Sequence, residues 1–426
     1  MRALATKPGA DDGRRALRQR RRRPIFINLL SNGRIKRRWA INLLLVAGGV
    51  MAGLLIVEAA LRLAGYSYPN LYTTDRQRGV ALKPGAQGWW RNEGEAYIRI
   101  NSEGLRDREH TKAKPPQTLR IAVLGDSYAE ALQVPLEKTF WAVMEGRLRE
   151  CRAATKGQNV EVINFGVSGY GTTLELITLR QKVWDYSPDI VLLALTTGND
   201  ISDNSRALKG DEDIPYFVHR DGRLVLDDSY LNSRTFRLRQ SALNRLLRRV
   251  RDYSRVAQAA FQAYHALSNY RAAAGRAPEV SPAGLEVGQS ELIYSEPTDA
   301  AWKDAWQVTE ELIVLMRDEV AQRGAKFVVV TLSSGGQVHP NASARQELMK
   351  RLGVSDLFYP DRRIKALGER AGFEVLNLAP SLQAYAEQHK VFLHGFGQNP
   401  GSGHWNETGH RVAGEMISQK LCEWAR

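Results

Sequence analysis

"RIAVLGDS", residues 120–127, is an apolar run that ends in glycine, aspartate and serine. Four later runs share its apolar character, namely VEVINF (160–165), DIVLLAL (189–195), KFVVVTL (326–332) and FEVLNL (373–378). The five runs are rich in Val, Ile and Leu and lack polar alternation, which is typical of strands buried on both faces of a sheet. We therefore predict a five-stranded parallel β-sheet.

Helical patterns separate these runs, at residues 137–150, 173–185, 300–323, 361–371 and 406–424. Alternating strands and helices place helices on both faces of a parallel sheet, which predicts an α/β fold with three α/β/α layers. In such folds the reacting groups lie beyond the carboxyl ends of the strands. The residues that follow each strand are therefore the candidates for a functional site.

Ser127 follows the first predicted strand. A tight turn between strand and helix would lift its hydroxyl clear of the sheet, among backbone N–H groups that face a developing negative charge. A hydroxyl is a poor nucleophile without a base, so Ser127 needs a partner. The alternative is a serine that only caps the following helix.

Three further positions follow the later strands. Gly169 lies in GVSGYGT after the second strand, Asn199 in TTGND after the third, and His404 in GSGHWNETGH (401–410) beyond the fifth. Each of these alone is compatible with an ordinary turn or cap. Because all of them fall at the same end of the predicted sheet as Ser127, we expect His404 to serve Ser127 as its general base.

Four blocks in this order carry a resemblance: GDS (125–127), NFGVSG (164–169), GND (198–200) and GHWNETGH (403–410). They resemble the SGNH, or GDSL-type, hydrolase superfamily over about residues 119–426, with an interruption by an insertion. The resemblance implies a flavodoxin-like five-stranded sheet, with Ser127 as nucleophile and His404 as base. It also implies an oxyanion hole formed by the backbone N–H groups of Ser127 and Gly169 and the amide of Asn199.

The sequence departs from the family pattern at Gly401, where an aspartate usually stands three residues before the histidine. Either a Ser–His dyad operates, with a backbone carbonyl holding the imidazole, or another carboxylate substitutes, and Glu407 is one candidate. A dyad with an oxyanion hole can still catalyse. The lost aspartate is also compatible with a non-catalytic module that only binds glycan.

We expect no metal and no cofactor. The spacings of His394, His404 and His410 fit no familiar zinc motif, and this region lacks cysteine. A nucleotide-binding flavodoxin-like domain is a further alternative, but GVSGYG is short and follows the second strand, so it makes a poor phosphate loop.

The predicted chemistry is acyl transfer through an ester of Ser127. With water as acceptor, the protein would be an esterase acting on an O-acyl ester, such as acetyl, of a cell-envelope or secreted carbohydrate. With a sugar hydroxyl as acceptor, it would be a polysaccharide O-acetyltransferase. The carbohydrate follows only from the resemblance to anchored, exported members of the superfamily.

The net charge of +14 is concentrated in the N-terminal tail, where residues 1–38 hold 13 Lys and Arg against two Asp. The remainder is nearly neutral, which argues against nucleic acid as a partner. An apolar run at 40–57 follows, long enough as a helix to span roughly 27 Å of a bilayer. We predict a basic cytoplasmic tail (1–39), a transmembrane anchor (40–63) and an exported remainder facing the periplasm; a cleaved signal peptide is the alternative.

Within the exported part, we predict an extension and linker (64–118) and the hydrolase-like domain (119–426) with an insertion at about 201–299. The insertion contains a basic amphipathic helix pattern at 238–267, interpreted as a packed helix with a solvated basic face, or else as a lid or a surface facing lipid or polysaccharide. Cys151 and Cys422 could form a disulfide in an oxidising compartment, or remain two buried thiols.

Overall fold

The computed structural model describes residues 31–151, 157–274 and 291–424. The strands are β1 (Tyr72–Asp75), β2 (Gly79–Leu82), β3 (Gln87–Trp90), β4 (Ala96–Arg99), β5 (Thr118–Gly125), β6 (Asn159–Asn164), β7 (Ile190–Thr196), β8 (Tyr216–Arg220), β9 (Arg223–Asp227), β10 (Lys326–Leu332) and β11 (Glu374–Asn377). The α-helices are α1 (Ser31–Leu63), α2 (Ser127–Glu130), α3 (Phe140–Glu150), α4 (Thr172–Gln181), α5 (Asp200–Asp203), α6 (Arg206–Lys209), α7 (Arg234–Arg239), α8 (Ala242–Tyr253), α9 (Arg255–Ala274), α10 (Ala300–Gln322), α11 (Ala342–Leu352), α12 (Tyr359–Ala371), α13 (Ala379–His389) and α14 (Glu407–Trp424). Short 3₁₀ helices cover Leu136–Lys138, Val183–Tyr186, Ser229–Asn232 and Glu291–Tyr294.

The central sheet contains five parallel strands in the order β11–β10–β7–β5–β6. These are the five apolar runs of the sequence, and each observed strand begins and ends within two residues of its run. The predicted parallel sheet is therefore confirmed. Its order puts β5 and β7 side by side in the middle, so the residues that follow these two strands meet at one edge.

Helices cover both faces of this sheet, as predicted. On one face, side chains of α3, α13 and α14 pack into a single apolar core with strand residues such as Val123 and Val330. On the other face, α4, α10 and α12 form a second core with Leu124 and Val329. Adjacent strand residues thus point into different cores, which explains why the runs are apolar without alternation.

The N-terminal helix α1 contains a long apolar segment. Within α1, Arg37–Leu63 is a 27-residue segment of mean hydropathy 2.4 whose residues are not buried in the protein, so it is apolar enough to cross a membrane. One compact unit ends at Ala60, and the second begins at Leu61 and contains the sheet.

Two small hairpins, β1–β2 and β3–β4, occupy residues 72–99. Their buried side chains, among them Leu71, Leu82 and Ile98, share an apolar core with Tyr170 and Leu174 near the start of α4. This part of the predicted extension therefore packs against the α/β domain.

The insertion differs from the prediction in two ways. The single helix expected at 238–267 is divided into parts of α7, α8 and α9, because Ser241 and Ser254 each accept a backbone N–H and begin a new helix. The expectation that its apolar face is packed is also wrong for α8, since Leu243 is 65% and Leu246 57% exposed.

A disulfide joins Cys151, directly after α3, to Cys422 in α14. The two Cα atoms are 6.2 Å apart, within the range that a disulfide spans. It links the end of α3 to the last helix, α14, across 271 positions of sequence.

Candidate active site

Ser127 is the first residue of α2, immediately beyond the carboxyl end of β5. The side chain of Asp126 accepts the N–H of Tyr128 and caps this short helix, so capping is the task of Asp126 and the Ser127 hydroxyl remains available. The turn requires Gly125, because a Cβ there would lie 2.9 Å from the Cβ of Ala129. The local sequence thus presents the serine at the edge of the sheet.

The structure brings Ser127 and His404 together. The Oγ of Ser127 lies 2.8 Å from Nε2 of His404, although 277 positions separate the two residues. The loop that carries His404 is held at both sides, because Trp405 is buried and Asn406 bonds the carbonyl of Phe392 and the N–H of Gly409. Helix α14 then begins at Glu407.

A third residue, Glu93, completes a hydrogen-bonded series with these two side chains. One carboxylate oxygen lies 2.6 Å from Nδ1 of His404, and the other accepts the backbone N–H of His404 at 2.8 Å. Glu93 sits in the turn between β3 and β4, in the extension that precedes the α/β domain. The side chains of His404 and Glu93 are 24% and 29% exposed, so the series is accessible from solvent.

The close approach of Glu93 depends on two glycines. A Cβ at Gly403 would lie 2.0 Å from Oε1 of Glu93, and Gly403 has φ +87°. A Cβ at Gly94 would lie 2.2 Å from the carbonyl oxygen of Gln133, and Gly94 has φ +67°. Both positions therefore combine a left-handed backbone with a neighbour that leaves no room for a side chain.

Glu93, and not Glu407, is the carboxylate that orients His404. Glu407 lies instead 3.7 Å from the ammonium group of Lys138, and both side chains are mostly exposed. Burial raises the pKa of the Glu93 carboxyl, but the hydrogen bonds and positive charge of His404 outweigh burial and bring that pKa below its ordinary value. Glu93 is accordingly an anion at neutral pH. The sequence offered no signal for it, because 311 positions separate it from His404.

Asn199 lies beside Ser127 because both contact Asp126. The amide nitrogen of Asn199 donates to Oδ2 of Asp126 at 3.0 Å, and Ser127 Oγ lies 3.5 Å from the same oxygen. The Thr196 hydroxyl donates to the other oxygen at 2.9 Å. An amide nitrogen carries two hydrogens, so the bond to Asp126 leaves one for another acceptor. Burial raises the pKa of Asp126 in spite of these donors.

Gly169 is an exposed residue in the loop between β6 and α4, with φ +76° and no atom within 4 Å of an added Cβ. Buried Glu130 at the end of α2 accepts the N–H of the neighbouring Ser168, and it also accepts the hydroxyl of Tyr72 from β1 at 2.9 Å. The carbonyl of Gly169 accepts the ammonium of Lys209 at 2.6 Å. The loop is therefore held from both α2 and the extension.

The other two histidines have supporting positions. His394 is buried, with Nδ1 2.8 Å from the carbonyl oxygen of Gly403 and Nε2 3.0 Å from the hydroxyl of Ser333. His410 accepts the N–H of Phe140, and burial brings its pKa well below the ordinary value, so it is neutral. Across the three described ranges, no group of three or more His, Cys, Asp or Glu side chains is arranged to hold a metal.

Two buried carboxyl groups, Glu175 and Asp200, lie near Asp126 at the same edge. Burial raises the pKa of each well above its ordinary value, and the charge of Asp126 adds to the effect. Asp200 accepts the N–H of Thr196 at 2.7 Å and so braces the loop that carries Asn199. The raised pKa of both groups favours their neutral forms, which would limit the negative charge behind Ser127.

Comparison with known proteins gives a local match and a set of distant folds. No family model matches the chain. An arylesterase from Vibrio mimicus is 37% identical over 76 residues, which is 18% of this chain and 36% of the arylesterase. The match thus spans about a third of that relative's length.

Among solved structures, an acetyl xylan esterase is 13% identical with a TM-score of 0.34, covering 70% of this chain and 98% of its own. A catalytic mutant of an acetylxylan esterase from Geobacillus stearothermophilus is 11% identical with a TM-score of 0.35. The alignment covers 73% of this chain and 96% of the esterase. Both TM-scores are below 0.5, so the similarity in fold is distant.

The resemblance to a known class of protein lies in the sheet order and in the four blocks at its carboxyl edge. Serine, glycine, asparagine and histidine follow β5, β6, β7 and β11 in turn, and the serine and histidine are in contact. These features are similar to the block pattern of the SGNH, or GDSL-type, hydrolase superfamily, and the local similarity to an arylesterase agrees with that resemblance.

Proposed function

We propose that this protein is an ester hydrolase that cleaves O-acyl esters through a covalent acyl intermediate on Ser127. The observation that carries the proposal is the hydrogen-bonded series from Ser127 Oγ to His404 and from His404 to Glu93. A serine becomes nucleophilic when a base accepts its proton and a third group orients that base.

In the first half of the reaction, Oγ of Ser127 attacks the ester carbonyl carbon while its proton passes to Nε2 of His404. The carboxylate of Glu93 accepts the hydrogen bond from Nδ1, which selects the required tautomer and stabilises the imidazolium. The tetrahedral intermediate then collapses, the bond to the alkoxide breaks, and His404 returns the proton to the leaving alcohol. Ser127 is left as an acyl ester.

In the second half, His404 removes a proton from a water molecule, which attacks the acyl carbon. Collapse of this second intermediate breaks the bond to Oγ, and His404 gives the proton back to Ser127. The carboxylic acid leaves. A sugar hydroxyl in place of water would give a polysaccharide O-acetyltransferase from the same residues.

Three donors would bind the oxyanion: the N–H groups of Ser127 and Gly169 and the free amide hydrogen of Asn199. This role is supported by the position of Asn199 beside Ser127 and by the open space around Gly169. Removal of one such donor typically costs about 10²- to 10³-fold in rate.

The proposed substrate is an acylated carbohydrate outside the cytoplasm, acetylated in the simplest case. Two features support this location: a helix apolar enough to cross a membrane after a basic tail, and a disulfide of the kind found in oxidising compartments. On this basis the basic N-terminus is cytoplasmic and the α/β domain faces the periplasm.

The non-catalytic interpretation loses its main support. It rested on the missing carboxylate at Gly401, and Glu93 now supplies a carboxylate to the same imidazole nitrogen that such a residue would orient.

A fluorophosphonate probe applied to the full chain in detergent tests the mechanism. We expect labelling of the wild type and of Ser343→Ala, an exposed serine far along the sequence, but none of Ser127→Ala. Hydrolysis of p-nitrophenyl acetate with and without oligosaccharides then identifies the acceptor. Acetate released to water supports the esterase, whereas acetylated sugar supports the transferase. Glycan binding with no labelling of the wild type would overturn the catalytic proposal.

A further inference from the structure

Helix α8 exposes the apolar side that an amphipathic helix normally buries. Leu243, Leu246, Leu247 and Val250 are spaced so that they share one face, and they are 65%, 57%, 54% and 48% exposed. Tyr253 at the end of the helix is 77% exposed. Four adjacent aliphatic side chains on one helix face form a patch, and patches of this kind mark interaction surfaces.

The opposite, polar side of α8 attaches the helix to the protein. Arg248 donates to the hydroxyl of Thr74 at 2.5 Å, and Asp252 accepts the amide of Asn70 at 3.3 Å. Asp252 also pairs with the ammonium group of Lys83. These bonds fix the helix so that its aliphatic face points away from the compact unit.

The surroundings of this face are strongly basic. Residues 234–251 contain seven arginines and no acidic residue. Arg237 in α7 and Arg249 in α8 are exposed. Exposed aliphatic side chains flanked by arginines are typical of helices that lie in the interface of a membrane with anionic lipid.

The chain also keeps this region close to the end of α1. Arg255 donates to the hydroxyl of Ser67 at 3.1 Å, and Gln258 accepts the N–H of Tyr68 at 2.9 Å. Ser67 is only four residues beyond Leu63, where α1 ends, and four residues span at most about 14 Å. If α1 crosses a bilayer, α8 and α9 cannot move far from its surface.

We propose that the aliphatic face of α8 lies in the interface of a bilayer that contains anionic phospholipid. Leu243, Leu246, Leu247 and Val250 enter the boundary between headgroups and acyl chains, and the arginines contact the phosphates. The inference rests on the proposed membrane anchorage by α1. It gives the α/β domain a second membrane contact, and thereby a fixed orientation above the bilayer.

The experiment uses the full chain in lipid nanodiscs, with single cysteines that carry an environment-sensitive fluorophore. Both native cysteines are in the disulfide, so an introduced cysteine is labelled alone. Leu246→Cys reports on α8, Leu45→Cys on the anchor, and Gln346→Cys, exposed in α11, is the control on the α/β domain. Each labelled variant must keep the wild-type circular dichroism spectrum.

We expect lipids with a doxyl group on the acyl chain to quench the labels at 45 and 246 by at least about twofold and to leave the label at 346 unchanged. Replacement of anionic by zwitterionic lipid should reduce the quenching at 246 but not at 45. Equal quenching at 246 in anionic and in zwitterionic lipid would overturn the assignment to anionic lipid.

The remaining outcomes identify other occupants and overturn the inference. Quenching at 45 without quenching at 246 leaves the anchor in place and removes the contact of α8. A label at 246 that is shielded from iodide only at high protein concentration indicates a second copy of the chain. Shielding in detergent at every concentration indicates coverage by this chain itself. No quenching at 45 would reject the anchorage and, with it, the contact.

Discussion

At the scale of single residues, the charge of Glu93 is the feature most open to test. The substitution Glu93→Gln keeps the size of the side chain but removes the anion that stabilises the imidazolium of His404. We expect kcat for p-nitrophenyl acetate to fall by about 10²- to 10⁴-fold, as in other triads that lose their acid. Glu95→Gln, in the same turn and paired only with Arg91 at 3.0 Å, should remain near wild type. Equal activity of Glu93→Gln and wild type would mean that a dyad suffices.

The same pair should make stability depend on pH. The pKa of Glu93 is lower in the folded protein than in the unfolded chain, where it is about 4.3. Its contribution to stability is therefore complete above that value and is lost as the pH falls through the folded pKa. We expect the difference in Tm between wild type and Glu93→Gln to be present at about pH 6 and to shrink below about pH 4. A difference that persists unchanged in acid would contradict this assignment.

Gly403 tests the position of Glu93 without altering its chemistry. In Gly403→Ala the new Cβ would lie 2.0 Å from Oε1 of Glu93, so the carboxylate must move away from His404. Gly397→Ala is the matched control, because Gly397 also has a positive φ, +56°, but open space around the added atom. Both variants carry about 1 kcal/mol or more of backbone strain, whereas only Gly403→Ala should lose activity to the level of Glu93→Gln. Equal losses in kcat would point to loop strain as the cause.

At the scale of elements, strand β1 supports the loop that carries Gly169. Tyr72→Phe removes the hydroxyl that donates to both oxygens of buried Glu130, the residue that also holds Ser168. We expect a loss of about 1–3 kcal/mol in the free energy of unfolding, because a buried carboxyl group loses a donor. Tyr97→Phe, with an exposed ring in β4, should lose almost nothing in the same denaturant titration. If Tyr72→Phe leaves the free energy of unfolding unchanged, the extension is not needed to hold the loop.

The elements also show where a single sequence is informative. Strands buried on both faces have a uniform apolar composition, so β5, β6, β7, β10 and β11 were predictable within two residues. Strands β1 to β4 contain four residues each, too few for an alternating pattern, and they were missed. For α8 the amphipathic pattern indicates which face is apolar, but the face that packs is set by distant partners such as Thr74 and Lys83.

The functional site follows the same rule. The placement of Ser127, Gly169, Asn199 and His404 at one edge was predictable, because each comes after a strand of one sheet or in the loop beyond it. Glu93 follows no strand of that sheet. It reaches His404 from the β3–β4 hairpin, and no local sequence pattern predicts how that hairpin packs.

At the scale of the whole molecule, the disulfide joins the two ends of the α/β domain. Reduction of Cys151–Cys422 opens a loop of 271 positions, for which a loss on the order of 2–5 kcal/mol is expected. The measurement is Tm in detergent with and without a thiol-free reductant. In the double variant Cys151→Ser and Cys422→Ser, the reductant should have no further effect. An unchanged Tm of the reduced wild type would show that the helices hold these ends without the bond.

The position of Glu93 has one consequence for how such an enzyme could be regulated. A protease that cut the chain at 113–118 would leave Ser127 and His404 on one fragment and Glu93 on the other, with only the packing of the extension to hold the two fragments together. If the two fragments dissociated, the α/β domain would lose the carboxylate of Glu93 and most of its activity. On the proposed anchorage, activity would then require that the α/β domain stay attached to its N-terminal extension.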